Sequence, residues 1–326
     1  MDTIKSFQNR IEQELITFSS AIGQAPKELY DPISYTLSLG GKRMRPLLVL
    51  LGCDLFGKNI EKAIYPALAV EVFHNFTLLH DDIMDGAPLR RHQPTVHQKW
   101  NNNTAILAGD AMLVKAYQLI SKYESAQLSE VMVVFSKAAL EVCEGQQMDM
   151  NFEARNNVTI ADYLKMIELK TAVLLAGSLQ IGAIIGGASK EEALHLYEFG
   201  RNIGIAFQLQ DDILDVYGNP EKFGKQVGGD IISNKKTFLL LKAMEQAKDK
   251  TLNELQSQVT ASHFNSATKV EAVKKIYDQL HIQELARKEM DGFFLAGLKH
   301  LDAIHANESK ILKLKRFAES LMVREF

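Results

Sequence analysis

Cysteine is nearly absent, with only Cys53 and Cys143 among 326 residues and no metal-ligand spacing between them. That excludes both a disulfide framework and a thiolate zinc site. Charge of one sign is also missing. Lys and Arg number 37 against 40 Asp and Glu, a net charge of -3, so the chain carries no basic footprint for nucleic acid. Prolines number seven and none falls between Pro94 and Pro220, which leaves the middle of the chain open to long helices. Long apolar runs are lacking as well. The most apolar window, Val173 to Gly187, is interrupted by Ser178 and Gln180 and falls short of the ~20 residues of a membrane span. The opening Met1-Asp2-Thr3-Ile4-Lys5 has no signal-peptide core. The expectation is a soluble, cytoplasmic protein, and 46% hydrophobic content suffices for a substantial core.

What is present is helical periodicity. Residues 1 to about 22 repeat apolar positions through Ile4, Phe7, Ile11, Leu15 and Phe18. Pro26 and Pro32 punctuate the next turns, Gly40-Gly41 reads as a helix stop, and Pro46 fits the first turn of a new helix. One long apolar helix is expected from about Ile60 to Asp85, then a loop from Gly86 to Gln98. Further helices are expected over roughly 103–122, 126–151, 160–187 and 190–217, then a glycine-rich loop to Asp230. Lys235-Lys236 would start the next helix, and helices continue to the end. Strand-like alternation is scarce and linkers are absent, so the expectation is one all-α domain over 1–326.

The chemistry centres on His80-Asp81-Asp82-Ile83-Met84-Asp85, at the end of the long apolar helix. At about 100° per residue, Asp81 and Asp85 share one helix face, where like charges repel. Oxygen-only ligands of this kind suit Mg²⁺, which takes one or two carboxylates and leaves its other positions to water and substrate phosphate. The pattern returns as Gln210-Asp211-Asp212-Ile213-Leu214-Asp215, again in apolar sequence. A single such cluster is weak evidence, since a solvated helix end produces it by chance. Two together are strong. Around them stand the cations Lys42, Arg45, Arg90, Arg91, Lys170, Lys225 and Lys235, as a diphosphate would require, and apolar helix faces lie below, as a greasy tail would require. No Ser-His-Asp or Cys-His arrangement and no Walker or Rossmann pattern is found. Charge neutralisation of a leaving diphosphate fits better than a protein base.

These pieces are collinear: G-G-K-R-M-R-P at 40–46, H-N-F-T-L-L-H-D-D-I-M-D at 74–85 and R-R-H at 90–92 are followed by K-T at 170–171, F-Q-L-Q-D-D-I-L-D at 207–215 and G-K-Q-V-G-G-D at 224–230. Over most of its length the chain resembles a trans-isoprenyl diphosphate synthase of the polyprenyl synthetase family, which includes farnesyl and geranylgeranyl diphosphate synthases. The resemblance implies an all-helical bundle around a deep cavity, a homodimer, and up to three Mg²⁺ on the allylic diphosphate. It further implies that Asp81, Asp85 and Asp211 ligate metal directly, with Asp82, Asp212 and Asp215 completing the clusters. Lys42, Arg45, His74 and Arg91 resemble the residues that hold isopentenyl diphosphate. Arg90, Lys170, Lys225 and Lys235 resemble those on the allylic diphosphate, with Thr171 and Gln208 along the reacting carbons. In this family the allylic substrate ionises, the isopentenyl double bond attacks, and the departing diphosphate takes the proton.

Chain length is expected to be set on the first acidic helix. Counting back from Asp81, Thr77 is small, and Phe73 is the first bulky residue near the same face, ~12 Å down. The family pattern points instead to an aromatic at Phe76. Both arguments give short products, geranylgeranyl diphosphate (C20) ahead of farnesyl diphosphate (C15). Two other readings fit parts of the sequence. Glu71-x-x-His74 and Glu192-x-x-His195, with Glu141, Glu144 and Glu168, suit a ferritin-like di-metal carboxylate bundle. A regulatory subunit of a heteromeric prenyl synthase would keep the fold without needing its acidic clusters.

Overall fold

The computed structural model describes residues 2–57, 59–218, 228–261 and 263–322. It is almost entirely helical, as expected. The helices are α1 (Asp2–Ala21), α2 (Lys27–Ser38), α3 (Met44–Phe56), α4 (Ile64–Met84), α5 (Val96–Lys99), α6 (Asn102–Ile120), α7 (Leu128–Ala154), α8 (Ile160–Ile167), α9 (Val173–Gly186) and α10 (Lys190–Tyr217). After these come α11 (Gly229–Ile232), α12 (Phe238–Gln246), α13 (Asp249–Thr260), α14 (Ser266–Gln279), α15 (Ile282–Asp302) and α16 (Glu308–Met322). Among the described residues the only strands are β1 (Leu89–Arg90) and β2 (Gln93–Pro94), an antiparallel ribbon inside the segment expected as loop.

Three expectations change. Pro32 lies inside α2 instead of punctuating a turn. So near the helix start its missing N–H removes a single intrahelical bond, and burial of Ile33 and Leu37 holds the helix together. Lys235 and Lys236 lie in the turn between α11 and α12, because α12 begins only at Phe238. Finally, α8 and α9 form one helix through a π-turn at Glu168–Ala172, so Ile160–Gly186 does reach membrane-spanning length and apolarity. Its apolar window is 78% buried inside the protein, as in a core helix.

The chain divides into two compact units, Met1–Ala139 with Gly177–Leu196, and Leu140–Ala176 with Tyr197–Phe326. In the first, α4 is apolar on almost every face from Ile64 to Phe73, and such a helix is stable only when surrounded. Its main partner is α6, whose inward stripe of Ala105, Ala108, Met112 and Ala116 is wholly buried. Three alanines in that stripe let the two axes approach closely.

The second unit has a core in which Tyr163, Met166 and Ile167 of α8 meet Leu209 and Ile213 of α10, together with Phe238, Ile276, Ile282 and Ala286 of later helices. Thr159 and Asp162 form a reciprocal cap at the start of α8. The π-turn is hemmed in by glycine on two sides. A Cβ on Gly145 of α7 would collide with the backbone of Lys170, and one on Gly204 of α10 would lie 2.6 Å from Ala172 Cα. Such turns are rare and often mark functional sites.

Candidate active site

The first acidic cluster forms the last turn of α4. Asp82 points inward and is 5% exposed, while Asp85 is exposed at the helix end. Arg90 grips Asp82: its Nε donates to Oδ1 and Oδ2, each at 2.8 Å, and Nη2 lies 2.6 Å from Oδ1. Burial pushes the Asp82 carboxyl up in pKa, and the Arg90 hydrogen bonds and charge oppose it. A fork of this kind is a strong, geometrically specific pairing. Asp81 and Asp85, one turn apart, are the more exposed carboxylates of the cluster. Arg90 Nη2 also lies 3.7 Å from Asp81 Oδ2.

The basic residues of the same unit converge at the start of α3. Arg43, which no sequence signal singles out, occupies the N-cap in the left-handed region (φ 48°) and is buried. Its Nε donates to Glu12 at 3.0 Å, Nη1 to Glu71 at 2.8 Å, and Nη2 to Leu37 O at 2.8 Å. Arg43 therefore locks the junction, and its neighbours Lys42 and Arg45 are placed by it. Lys42 is exposed. Arg45 Nη1 donates to His74 Nε2 at 3.0 Å, and Arg45 Nε is buried without a partner. Burial lowers the Arg45 pKa to about 10, against the pull of Glu71. Burial also holds His74 well below its ordinary value, reinforced by Arg45, Arg91, Arg90 and Arg43. His74 is thus neutral, with Nε2 accepting and Nδ1 carrying the proton. Arg91 sits at the ribbon tip (φ 53°) and donates from Nη1 to Gly40 O. A Cβ on Gly41 would lie 2.7 Å from Arg91 Nη2, so glycine there makes room for the guanidinium.

The second cluster repeats the build of the first within the other unit. Asp212 is buried, while Asp211 and Asp215 are partly exposed. Tyr163 OH donates to Asp212 Oδ2, and Gln208 Nε2 donates to Oδ1 at 3.1 Å. Burial and the charge of Asp230 raise the Asp212 pKa, opposed by Tyr163, Gln208 and Lys235. Tyr163, raised far above its ordinary value by burial and by Asp212, keeps its proton and acts as donor. Asp215 accepts from the Asp230 N–H at 3.0 Å. On the π-turn, Lys170 Nζ pairs with Asp149 at 2.7 Å and Thr171 Oγ1 donates to Gln208 at 3.3 Å. Thr171, Gln208 and Asp212 are therefore one hydrogen-bonded chain. Lys235 is exposed, and Lys225 lies outside the described residues.

Each cluster thus has a middle aspartate held by protein and outer aspartates on the helix surface. Among the described residues, no three His, Cys, Asp or Glu are gathered into a metal cage. Mg²⁺ does not require one, because it binds through one or two carboxylates and fills its octahedron with water and phosphate oxygens. The donor set fits that ion. It does not fit the di-metal reading: Glu71 is spent on Arg43 and Asn75, Glu192 caps α10 through Ser189, and Glu168 pairs with Arg201 and Lys165.

The chain-length candidates lie one to two turns up α4 from Asp81. Phe73 is 1% exposed and its ring is 5.5 Å from those of both Phe76 and Phe135. Phe76 is 8% exposed and meets His80 edge-on at 4.8 Å. Thr77 is partly buried and donates to His74 O.

Comparison with known proteins follows the same pattern. The polyprenyl synthetase family pattern matches residues 26–280. A geranylgeranyl diphosphate synthase of Methanosarcina mazei is 46% identical over 223 residues, 68% of this chain and 69% of that one. A crystal structure of a geranylgeranyl pyrophosphate synthase superposes with a TM-score of 0.95 at 44% identity, covering 100% of both chains. The geranylgeranyl pyrophosphate synthetase of Pyrococcus horikoshii gives 0.92 at 33% identity, covering 99% of this chain and 98% of that one.

Proposed function

The chain belongs to the polyprenyl synthetase family, and we propose from that premise that it condenses isopentenyl diphosphate with an allylic prenyl diphosphate to give geranylgeranyl diphosphate. It is a prenyltransferase of the short-chain trans type. The observation that carries the proposal is the twofold build of the acidic clusters: in each, a buried middle aspartate is fixed by side-chain donors and the two flanking aspartates are more exposed. Mg²⁺, up to three ions, would supply charge neutralisation of the allylic diphosphate, with Asp81, Asp85 and Asp211 as direct ligands and Asp82, Asp212 and Asp215 in support. Lys170, Lys225, Lys235 and Arg90 hold the allylic diphosphate. Lys42, Arg45, Arg91 and neutral His74 hold isopentenyl diphosphate. Thr171 and Gln208, tied to each other, line the reacting carbons.

We read 1–326 as one polyprenyl synthetase domain, since the family match runs through residues of both units. A homodimer is supported by apolar side chains left exposed on α6 and α7 (Ile106, Leu107, Val114 and Val133), an outward face that a second copy would cover. A cytoplasmic location accords with the burial of the apolar Ile160–Gly186 helix inside protein.

Incubation of the pure protein with Mg²⁺, isopentenyl diphosphate and farnesyl, geranyl or dimethylallyl diphosphate is expected to yield C20 product. Product of C30 or longer would refute the short-chain assignment, and no condensation with any primer would refute the function. The aromatic pair gives a sharper expectation. Because Phe76 is the nearer of the two to Asp81 and keeps slight exposure, Phe76→Ala should lengthen the product by one or two isoprene units. Phe73→Ala removes a ring packed on two others and should mainly destabilise, by roughly 3–5 kcal/mol. Mass spectrometry of the dephosphorylated products checks chain length in both variants, and chemical denaturation checks the stability of Phe73→Ala. Unchanged length in both variants would remove this helix as the floor.

A further inference from the structure

The ribbon that carries Arg90 and Arg91 is too small to hold its own shape. Its register is Leu89 to Pro94 and Arg90 to Gln93, with Arg91 (φ 53°) and His92 (φ 63°) alone at the tip. Both tip residues adopt the left-handed backbone that side chains other than glycine rarely take, and isolated two-stranded ribbons are marginal in water. Its conformation therefore depends on what braces it. Thr95 closes the base, with its N–H on Pro88 O at 3.1 Å and its Oγ1 on Ala87 O at 2.7 Å. Arg90 ties one strand to Asp82, and Arg91 reaches Gly40 O from the tip.

A further brace comes from a residue outside every sequence motif. Tyr35, in the last turn of α2, donates its hydroxyl to Pro94 O at 2.7 Å. Pro94 ends β2, so this bond grips the strand opposite the one that carries Arg90. The Tyr35 ring is itself fixed: Trp100 meets it edge-on at 5.3 Å, and Lys99 Nζ stands 3.8 Å over its face. Five residues later the same segment supplies Gly40, the acceptor for Arg91. The end of α2 thus touches the ribbon twice, at its base through Tyr35 and at its tip through Gly40. Beyond the Arg90 and Thr95 braces, a single contact to this segment through a long arginine side chain would leave the tip room to pivot, whereas two separated contacts fix its orientation.

We infer that Tyr35 is a positioning residue for isopentenyl diphosphate binding, holding the ribbon so that Arg91 is delivered over Gly41 beside Lys42 and Arg45. The inference rests on the assignment of Arg91 to that diphosphate. Tyr35→Phe keeps the ring, its contact with Trp100 and its place beneath Lys99, and removes only the donor.

The expected result is a rise in KM for isopentenyl diphosphate of roughly 2- to 10-fold, the range that the net worth of one hydrogen bond converts to. KM for the allylic primer should change less, because Arg90 is held separately by its fork on Asp82, and the unfolding midpoint should fall by no more than the net worth of one hydrogen bond. Amide exchange over residues 89–95 should accelerate, a readout independent of turnover. In an Arg91→Ala background, which raises the same KM, Tyr35→Phe should add nothing, because both substitutions act through one group. Unchanged KM and exchange in Tyr35→Phe, with Arg91→Ala still impaired, would overturn the inference alone. Additive effects of the two substitutions would overturn it as well, since Tyr35 would then act by another route. If Arg91→Ala leaves KM for isopentenyl diphosphate untouched, the assignment of Arg91 fails and the role of Tyr35 fails with it.

Discussion

Asp81→Ala and Asp211→Ala are each expected to lower kcat by at least about 10²–10³-fold, the loss typical of one missing electrostatic partner at a site of developing charge. The expectation follows from how the oxygens are already used. In the first cluster both oxygens of Asp82 accept from Arg90, and in the second both oxygens of Asp212 accept, from Tyr163 and Gln208. The middle carboxylates are thus engaged by protein side chains, and the proposed metal ligation would fall to their more exposed neighbours. Both outer positions are partly exposed, so truncation to alanine should leave the fold intact. A second readout separates ligation from chemistry. Mg²⁺ with inorganic diphosphate should raise the unfolding temperature of the wild type, as any ligand of the native state does, and should raise that of either variant much less. Near-wild-type turnover in either variant, or full wild-type activity in excess chelator, would refute the assignment.

The residues behind that prediction were legible because their signal is local. Two D-D-x-x-D clusters in apolar helices need only the 3.6-residue period and the chemistry of carboxylates to be noticed. The helices from α6 to α10 were legible for the same reason, apolar spacing without proline. What escaped the sequence is pairing over distance. Arg43 and Glu71 are 28 residues apart, and Tyr163 and Asp212 are 49 apart. No spacing rule selects Arg43 over Lys42 or Arg45 as the partner of Glu71. Lys170-Thr171 stands out in the sequence but its π-turn does not, since the turn packs against glycines at 145 and 204 that lie far off in sequence. The ribbon escaped because two residues per strand leave no alternation to read, and because Arg91 and His92 carry a backbone conformation more common for glycine or asparagine. The E-x-x-H at Glu71 carries no metal site for the opposite reason. The spacing was real, yet the carboxylate belongs to Arg43.

Arg43→Met is expected to destabilise the protein by roughly 3–5 kcal/mol, the cost of stranding one member of a buried ion pair. Both side chains of the pair are 3% exposed at a separation of 2.8 Å. Asn75 Nδ2 bonds the same Glu71 oxygen at 3.1 Å but brings no charge to balance it. Arg43 also donates to Leu37 O, the carbonyl at the end of α2, so its loss frees the chain between α2 and α3. The partner Glu12 is half exposed and can return to water, which leaves Glu71 without its direct ion-pair partner and with only the longer-range attraction of Arg45. The double variant Arg43→Met/Glu71→Met should recover much of the loss, because an apolar pair of similar volume removes the uncompensated carboxylate. Chemical denaturation of the four proteins completes the cycle. A double variant as unstable as the sum of the singles would show that the pair is uncoupled. The same cycle tests the rejected di-metal site by a separate route. A metal-binding Glu71 would be left free to ligate by Arg43→Met, so iron or manganese retained by that variant would contradict a purely structural role for Glu71.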